Sequence, residues 1–506
     1  MKYFYTFPIL LIFFNLASCA KILAIWPSNG YSLFILGQGL MTELARRGHE
    51  VSVVSQFEPN EKIKNYETIK LPKTGGYNDS DDLINWPTYN LFSLQKLSLD
   101  IGLRYAEALF EKKIIKELID SNRTFDLVIV DNYCNEAHMA FAEHFKAPLI
   151  VFSSQPVSDI NYHFIGNLKL PSISPLALTP NDNQMNFYER LRNSLVSVYD
   201  FVYKDLVYYP AQQALVDKYF PNKMDLKKIV TNTEIMLLFS HPLTTGPSLT
   251  TSAVAEVGGF QIVSKKLPND IQRILDGAEH GAVLVSLGTN IQCTSLSKEQ
   301  FNMFINAFRK FRQRFLWKCS VEIPNKPDNV YLFKWMPQTD ILAHNNTIAF
   351  VTHSGLLSTT EAIHFGVPMI CIPVFGDQIQ NSIRVQKKGI GERLSFLDLT
   401  ENDLYEAIKK VITNPSYKEK MQRVSKMFRD QPSKPLDRAI HAVEYVLKYK
   451  PGPLLRSPAL SLWWFQLYML DVLLFIFVSV VLLYLFISLV LRKLFISKKQ
   501  NKRKTA

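Results

Sequence analysis

The sequence predicts an α/β protein with two lobes, each a parallel sheet covered by helices, and one membrane-crossing helix towards its C-terminus. Three observations point there. Short apolar runs without polar alternation recur between helical stretches in two separate blocks, the pattern of strands buried on both faces. The chain has 506 residues, 47% of them apolar and 20% charged, enough to bury two or three cores and too apolar for a disordered protein. Val472–Leu491 is an unbroken uncharged stretch of 20 residues, which as a helix covers the roughly 30 Å of a bilayer's hydrocarbon layer.

Each element follows in order. Residues 1–20 read as a secretory signal: Lys2 opens it, Phe7–Leu16 is its apolar centre, and Ser18, Cys19 and Ala20 are the small residues before a cut at Lys21. The first lobe, 21–257, holds strands at Lys21–Trp26, His49–Ser55, Phe125–Asp131 and Pro148–Phe152, with a helix running through Met41–Arg47. Segments 60–110 and 156–230 fit neither block and are expected to decorate this lobe and line a pocket; their aromatics include Trp86, Tyr89, Phe92, Tyr162, Phe164, Phe187 and Tyr188. The join falls within Ser248–Leu267, around Gly258 and Gly259. The second lobe, 258–455, opens with the strand after Gly281, continues with a helix at Lys298–Phe311, and adds strands at Phe315–Ser320, Val330–Trp335, Ile348–Thr352 and Pro368–Pro373. A membrane-proximal segment, 456–471, precedes the span at 472–491 and a basic tail at 492–506.

That tail carries seven of the twelve net positive charges, so the basic balance marks topology rather than nucleic-acid binding. Positive charge stays on the cytosolic side, which predicts a single-pass type I protein with its lobes in the lumen. Lys502 and Lys504 resemble a dilysine signal for the endoplasmic reticulum, and Asn78, Asn122 and Asn345 open glycosylation sequons. Four cysteines remain after cleavage, and their wide spacing suits neither a zinc site nor a dense disulfide framework; Cys371 reads as core packing.

The densest chemistry lies between residues 335 and 381. Ile348–Thr352 runs into His353-Ser354-Gly355, and a helix starts near Ser358; such a turn offers free backbone N–H groups and the positive end of a helix dipole to a phosphate. Ser286, Gly288 and Thr289 form a second strand-to-glycine turn. Trp335 and Gln338 pair an aromatic plane with an amide, Glu361 is an acceptor for a ribose, and Asp377 and Gln378 are suited to sugar hydroxyls. Asp79 and Asp81 form a D-x-D, read as a solvated loop because no strand precedes it.

FVTHSGLLSTTEAIHFGVPMICIPVFGDQ, residues 350–378, resembles the signature of membrane-anchored UDP-glycosyltransferases, the UDP-glucuronosyltransferases and UDP-glucosyltransferases, in an invertebrate-like form. The likeness runs from signal to tail. It implies the GT-B fold, two Rossmann-like lobes facing a cleft, and inverting transfer of glucose or glucuronic acid from UDP-glucose or UDP-glucuronate to a small lipophilic acceptor. That is a detoxification-type conjugation, with no cofactor and no metal. Carried over, Trp335 and Gln338 hold uracil, Glu361 the ribose, and Ser286, Thr289, His353 and Ser358 the diphosphate, with Gly288 and Gly355 in the turns and Asp377 and Gln378 at the sugar. Leu357 departs from the asparagine of many members. The resemblance leaves homo- or hetero-oligomers open.

The acceptor half departs more. The family orients a catalytic histidine with an aspartate. FDLVIVD supplies Asp131, but Leu33 occupies the usual histidine position, and no histidine lies between Ala20 and Gly48. General-base help is typically worth about 10²–10⁴-fold in rate. Three outcomes follow: an active transferase restricted to nucleophilic acceptors such as amines or acidic phenols, a replacement base such as His138 or His163, or a UDP-sugar-binding, weakly active partner subunit.

Overall fold

The computed structural model describes residues 19–28, 30–72, 88–155, 161–167, 170–288, 293, 296–321 and 326–504. It divides into two units, 1–456 and 457–506.

The first unit contains two parallel sheets. The strands of the first are β1 (Lys21–Ile25), β2 (Glu50–Ser55), β3 (Tyr66–Lys70), β4 (Leu127–Asp131), β5 (Leu149–Ser153), β6 (Ile235–Leu238) and β7 (Val254–Glu256), in the order β3-β2-β1-β4-β5-β6-β7. The second sheet comprises β8 (Ala282–Ser286), β9 (Arg314–Lys318), β10 (Val330–Phe333), β11 (Thr347–Thr352), β12 (Met369–Cys371) and β13 (Gly391–Arg393), ordered β10-β9-β8-β11-β12-β13. Both orders run outward from a central pair, so β1/β4 and β8/β11 are the two switch points where open parallel sheets bind ligands beyond their strand ends. These are the two expected lobes of Rossmann type.

The unbroken apolar runs follow from burial on both faces. Along β1, Ile22 and Ala24 face one side with Leu127 and Ile129, while Leu23 and Ile25 face the other with Val128 and Val130. The first face is covered by α1 (Tyr31–Arg46), through Leu36, Leu40, Met41 and Leu44. The second is covered by α2 (Leu91–Phe110), through Ala106, Leu109 and Phe110. α3 (Phe187–Tyr203) starts with a capping box made by Asn186 and Glu189. In the second lobe, α4 (Lys298–Arg309) packs Phe304 and Phe308 on Val283, Val285 and Val351. α5 (Gln338–Ala343) and α6 (Leu356–Phe365) cover the opposite face with Ile341, Ala362 and Ile363. α7 (Gln378–Lys387) follows β12.

Two features were not anticipated. α8 (Pro435–Tyr449) returns to the first sheet, where Ala439, Ile440, Val443 and Val446 join the core beside Leu36 and Leu40. Arg438 there donates to the carbonyl of Glu256, 3.1 Å away. Cys293 and Cys319, 26 residues apart, form a disulfide. Cys371 is fully buried, as expected, and burial pushes its thiol up to about 12.

The second unit is dominated by α9 (Leu470–Lys504), whose Leu470–Ile496 stretch contains 18 consecutive residues of mean hydropathy 3.0 and is long and apolar enough to cross a membrane. The expected span at 472–491 lies inside it.

Candidate active site in the interlobe cleft

A cleft of about 1540 Å³ is lined by the strand-end loops of both sheets. On the second-lobe side it brings together Ser286, Gly288, Trp335, Gln338, His353, Gly355, Ser358, Glu361, Asp377 and Gln378. All of these were candidates from sequence. Thr289, Asn78 and the D-x-D at Asp79 and Asp81 lie outside the described residues.

The loop after β8 and the loop after β11 close on one imidazole. A Cβ on Gly288 would sit 2.7 Å from His353 Nε2, and one on Gly355 would sit 2.6 Å from the same atom. Gly288 also has φ +91°, so both space and backbone require glycine there. Burial, reinforced by the charge of Lys318, brings His353 down to about 4. The ring is neutral at pH 7 and can donate one N–H.

Helix α6 begins at Leu356, two residues ahead of the expected start, because Asp377 acts as its cap from a distance. Asp377 Oδ2 accepts from the Leu356 N–H at 3.1 Å and from Asn381 Nδ2 at 2.7 Å. The next N–H groups, of Leu357 and Ser358, have no carbonyl one turn behind them by helix geometry and point out of the helix start. Burial raises the Asp377 carboxyl, against the pull of these bonds.

Glu361 stands one turn further on and accepts from two side chains at once. Its oxygens accept from Gln338 Nε2 at 2.6 Å and Thr339 Oγ1 at 2.8 Å, while Gln338 also donates to Ser358 Oγ at 3.0 Å. Burial raises its carboxyl and the two donors hold it back. Gln378 Oε1 accepts from the Val374 and Phe375 N–H groups at 2.9 and 3.1 Å, which leaves its NH₂ for another partner. Trp335 is 64% exposed at the cleft, so its ring can receive a base.

Two residues here escaped the sequence reading. Lys318, at the end of β9, reaches Gly288 O at 3.2 Å, and burial draws its ammonium below the ordinary lysine range. A lone basic residue closing an apolar strand was the available signal. Thr339 follows Gln338 directly and orients Glu361; nothing in its surroundings marked it.

The first-lobe side is built on Trp26. Its ring is buried, lies against Phe152 with centroids 4.8 Å apart, and donates to the carbonyl of Leu33 at 3.0 Å. That bond fixes the start of α1, and Leu33, half-buried, faces the cleft with Asp131. Asp131 ends β4, beside Phe152 of β5, and is 6% exposed. Its Oδ1 is buried and has no hydrogen-bond partner among the described residues. Burial pushes its carboxyl up to about 7.

His138 does not reach the cleft. Its Nδ1 lies 2.7 Å from Asn135 Nδ2, its Nε2 lies 3.3 Å from the carbonyl of Ala106, and burial brings it down to about 4. It is a core residue that ties the loop after β4 to α2, so that candidate base is withdrawn. The side chain of His163 lies outside the described residues. The aromatic expectation also changes: Phe164 is core, whereas Phe187 and Tyr188 are 62% and 78% exposed. Ile101, Tyr105, Ala177 and Leu178 line the cleft from the irregular segments instead. Asn122 and Asn345 are exposed.

The family described as "UDP-glucoronosyl and UDP-glucosyl transferase" matches residues 20–505. UDP-glucosyltransferase 2 of Dactylopius coccus is 31% identical over 467 residues, covering 91% of this chain and 90% of that protein. Human UDP-glucuronosyltransferase 2B10 is 31% identical over 509 residues, with 92% of each covered. Among solved structures, a UDP-glucosyltransferase from Polygonum tinctorium capable of glucosylating indoxyl superposes with a TM-score of 0.58 at 18% identity, over 86% of this chain and all of that one. The calicheamicin glycosyltransferase CalG4 does so with 0.58 at 20%, over 86% and 100%. These share the GT-B fold. The chain belongs to the UDP-glucuronosyl and UDP-glucosyl transferase family, and is a glycosyltransferase.

Proposed function

We propose that this chain transfers glucose or glucuronic acid from the matching UDP-sugar to a small lipophilic acceptor, with inversion at the anomeric carbon and without a metal. The observation that carries this is the paired turn around His353, where two glycine loops and the start of α6 converge. As the sugar leaves, negative charge grows on the diphosphate. The Leu357 and Ser358 N–H groups, the neutral His353 ring, Ser286 and Lys318 are suited to stabilise it, which is the larger part of such catalysis. Trp335 stacks on uracil, Gln338 reads its edge, Glu361 takes the ribose, and the free atoms of Asp377 and Gln378 orient the sugar. Thr289 is assigned to the diphosphate on its place in the motif alone. Leu33 supplies no base, so the acceptor must bring its own nucleophilicity.

The proposed setting is the endoplasmic reticulum membrane, lobes lumenal, with α9 as the anchor. The Cys293–Cys319 bond fits an oxidising compartment, and exposed Asn122 and Asn345 fit glycosylation.

Microsomes containing the chain, given each UDP-sugar with a panel of phenols and amines, should yield a hexosyl conjugate by mass; no conjugate with any pairing removes the transferase reading. The second reading is a UDP-sugar-binding partner of little activity, favoured by Leu33 alone. Leu33→His should raise turnover on a phenol and leave UDP affinity unchanged; unchanged turnover would mean that position 33 is not the vacant base.

A further inference from the structure

The second lobe reaches past the donor side of the cleft and holds a piece of the first. Residues 176–179 form a tight turn: the Thr179 N–H donates to the Leu176 carbonyl at 3.0 Å, and the Thr179 hydroxyl donates to the same oxygen at 2.8 Å. The two central residues, Ala177 and Leu178, line the cleft. Leu178 clusters with Leu94 of α2, and Phe375 of the second lobe packs against that cluster. From the turn's own lobe, Asn193 of α3 accepts from the Leu176 N–H at 2.9 Å.

The carbonyls at both ends of the turn are also taken by the other lobe. Gln380 Nε2, on α7, donates to Leu176 O at 2.5 Å and to Thr179 O at 3.1 Å. A little further along, Asp182 faces the same helix, 3.7 Å from Arg384 Nε and 3.4 Å from Lys387 Nζ. Arg384 is the branch point. Its Nη2 donates to Gln380 Oε1 at 3.1 Å, which leaves the Gln380 NH₂ directed at the turn, and its Nη1 donates to Asn381 Oδ1 at 3.4 Å. Asn381 donates in turn to the Ser354 carbonyl at 3.0 Å and to Asp377 Oδ2 at 2.7 Å, the oxygen that caps α6. Burial brings the Arg384 guanidinium down to about 10, against the pull of Asp182 and Asp377, so it stays charged at neutral pH. Gln380, Asn381 and Arg384 are all buried, and a bonded set shielded from water resists moving one end without the other.

We propose that Gln380 and Arg384 are positioning residues for the acceptor, and that a UDP-sugar held at Asp377 and Gln378 sets the 176–179 turn through them. This rests on the UDP-sugar reading above and extends it to the opposite wall of the cleft. Gln380 lies in the first turn of α7, two residues after Gln378, so a sugar that fixes this helix start fixes the amide that carries the turn. Ala177 and Leu178 then present one apolar surface to the acceptor. A brace that only held the lobes together would change stability and leave donor and acceptor affinities independent; coupled sites change together.

The test uses the full chain in lipid nanodiscs, with UDP-glucose and UDP-glucuronate each added at saturation. The donor that binds by calorimetry should slow amide hydrogen exchange across residues 176–184 about tenfold. Gln380→Met keeps the side-chain length and removes the NH₂ donor; it should bind the donor within about twofold and lose the slowing. Unchanged exchange in the wild type with donor bound, or equal slowing in Gln380→Met, overturns the proposal. Should that variant fail to fold, Asp182→Asn replaces it, with the slowing cut at least about threefold and an undiminished slowing counting against the coupling. With 4-nitrophenol as acceptor, Gln380→Met should raise the acceptor KM about tenfold and hold the donor KM within about twofold, a split that general loss of stability does not produce. An acceptor KM at the wild-type value also sinks the idea. If no conjugate forms, the transferase reading fails and the exchange result still decides the coupling; if neither donor binds, the donor-site reading falls and takes this inference with it.

Discussion

The two walls of the cleft are finished to different degrees. On the second-lobe side, Gln338, Thr339, Ser358 and Glu361 hold one another, and Asp377 is tied to Leu356 and Asn381. On the first-lobe side, Asp131 and Leu33 both line the cleft, and Asp131 Oδ1 has no hydrogen-bond partner among the described residues. The difference separates two tasks. On the donor side the carboxylates Glu361 and Asp377 are held by neighbours while N–H groups are left for a ligand; on the acceptor side it is a carboxylate oxygen that is left without a partner among the described residues.

The contrast can be broken first through stability. A folded carboxyl held near 7 keeps a proton that the unfolded chain has released, so stability falls as pH rises from about 4 to about 7 and then levels. Asp131→Asn should remove that slope and stabilise the protein at pH 8 by at most about 4 kcal/mol, with no gain below pH 4, in urea unfolding at both pH values. No such gain would mean that the acceptor wall is as well satisfied as the donor wall. Gly355→Val should push the new side chain into the His353 ring and weaken UDP binding at least about 100-fold by calorimetry, or about 2.7 kcal/mol. Trp335→Ala removes a stacking surface worth about 1–3 kcal/mol, so UDP affinity should drop about tenfold or more. The smallest effect is expected at Leu357→Asn, where one added hydrogen bond of about 0.5–1.5 kcal/mol should tighten UDP binding around threefold. A large change there would show that position 357 touches the nucleotide more closely than one added hydrogen bond allows.

The donor wall was legible because its parts lie close in sequence. Residues 350–378 run through the end of one strand, one helix, a second strand and the start of the next helix, so closeness in the chain helps bring His353, Ser358, Glu361 and Asp377 together. Its inner bonding was not legible: that Asp377 caps a helix 21 residues earlier depends on how two helix starts meet. The acceptor wall is assembled from residues about 100 positions apart, so that Leu33 and Asp131 line one cleft is visible only in the fold. His138 was a candidate replacement base from sequence, and the turn at Asn135 points it into the core. The return of α8 was invisible for a simpler reason: an amphipathic helix shows that it covers a sheet, not which one.

That return has a consequence for the order of events during synthesis. The first sheet is complete at Glu256, but its covering helix ends at Tyr449. At about 5–20 residues per second, a ribosome leaves the part of that face beside α1 without α8 for roughly 10–40 s. Nascent chains of this protein are therefore expected to need a holdase for that interval, and the first half can complete its native core only after the second has emerged.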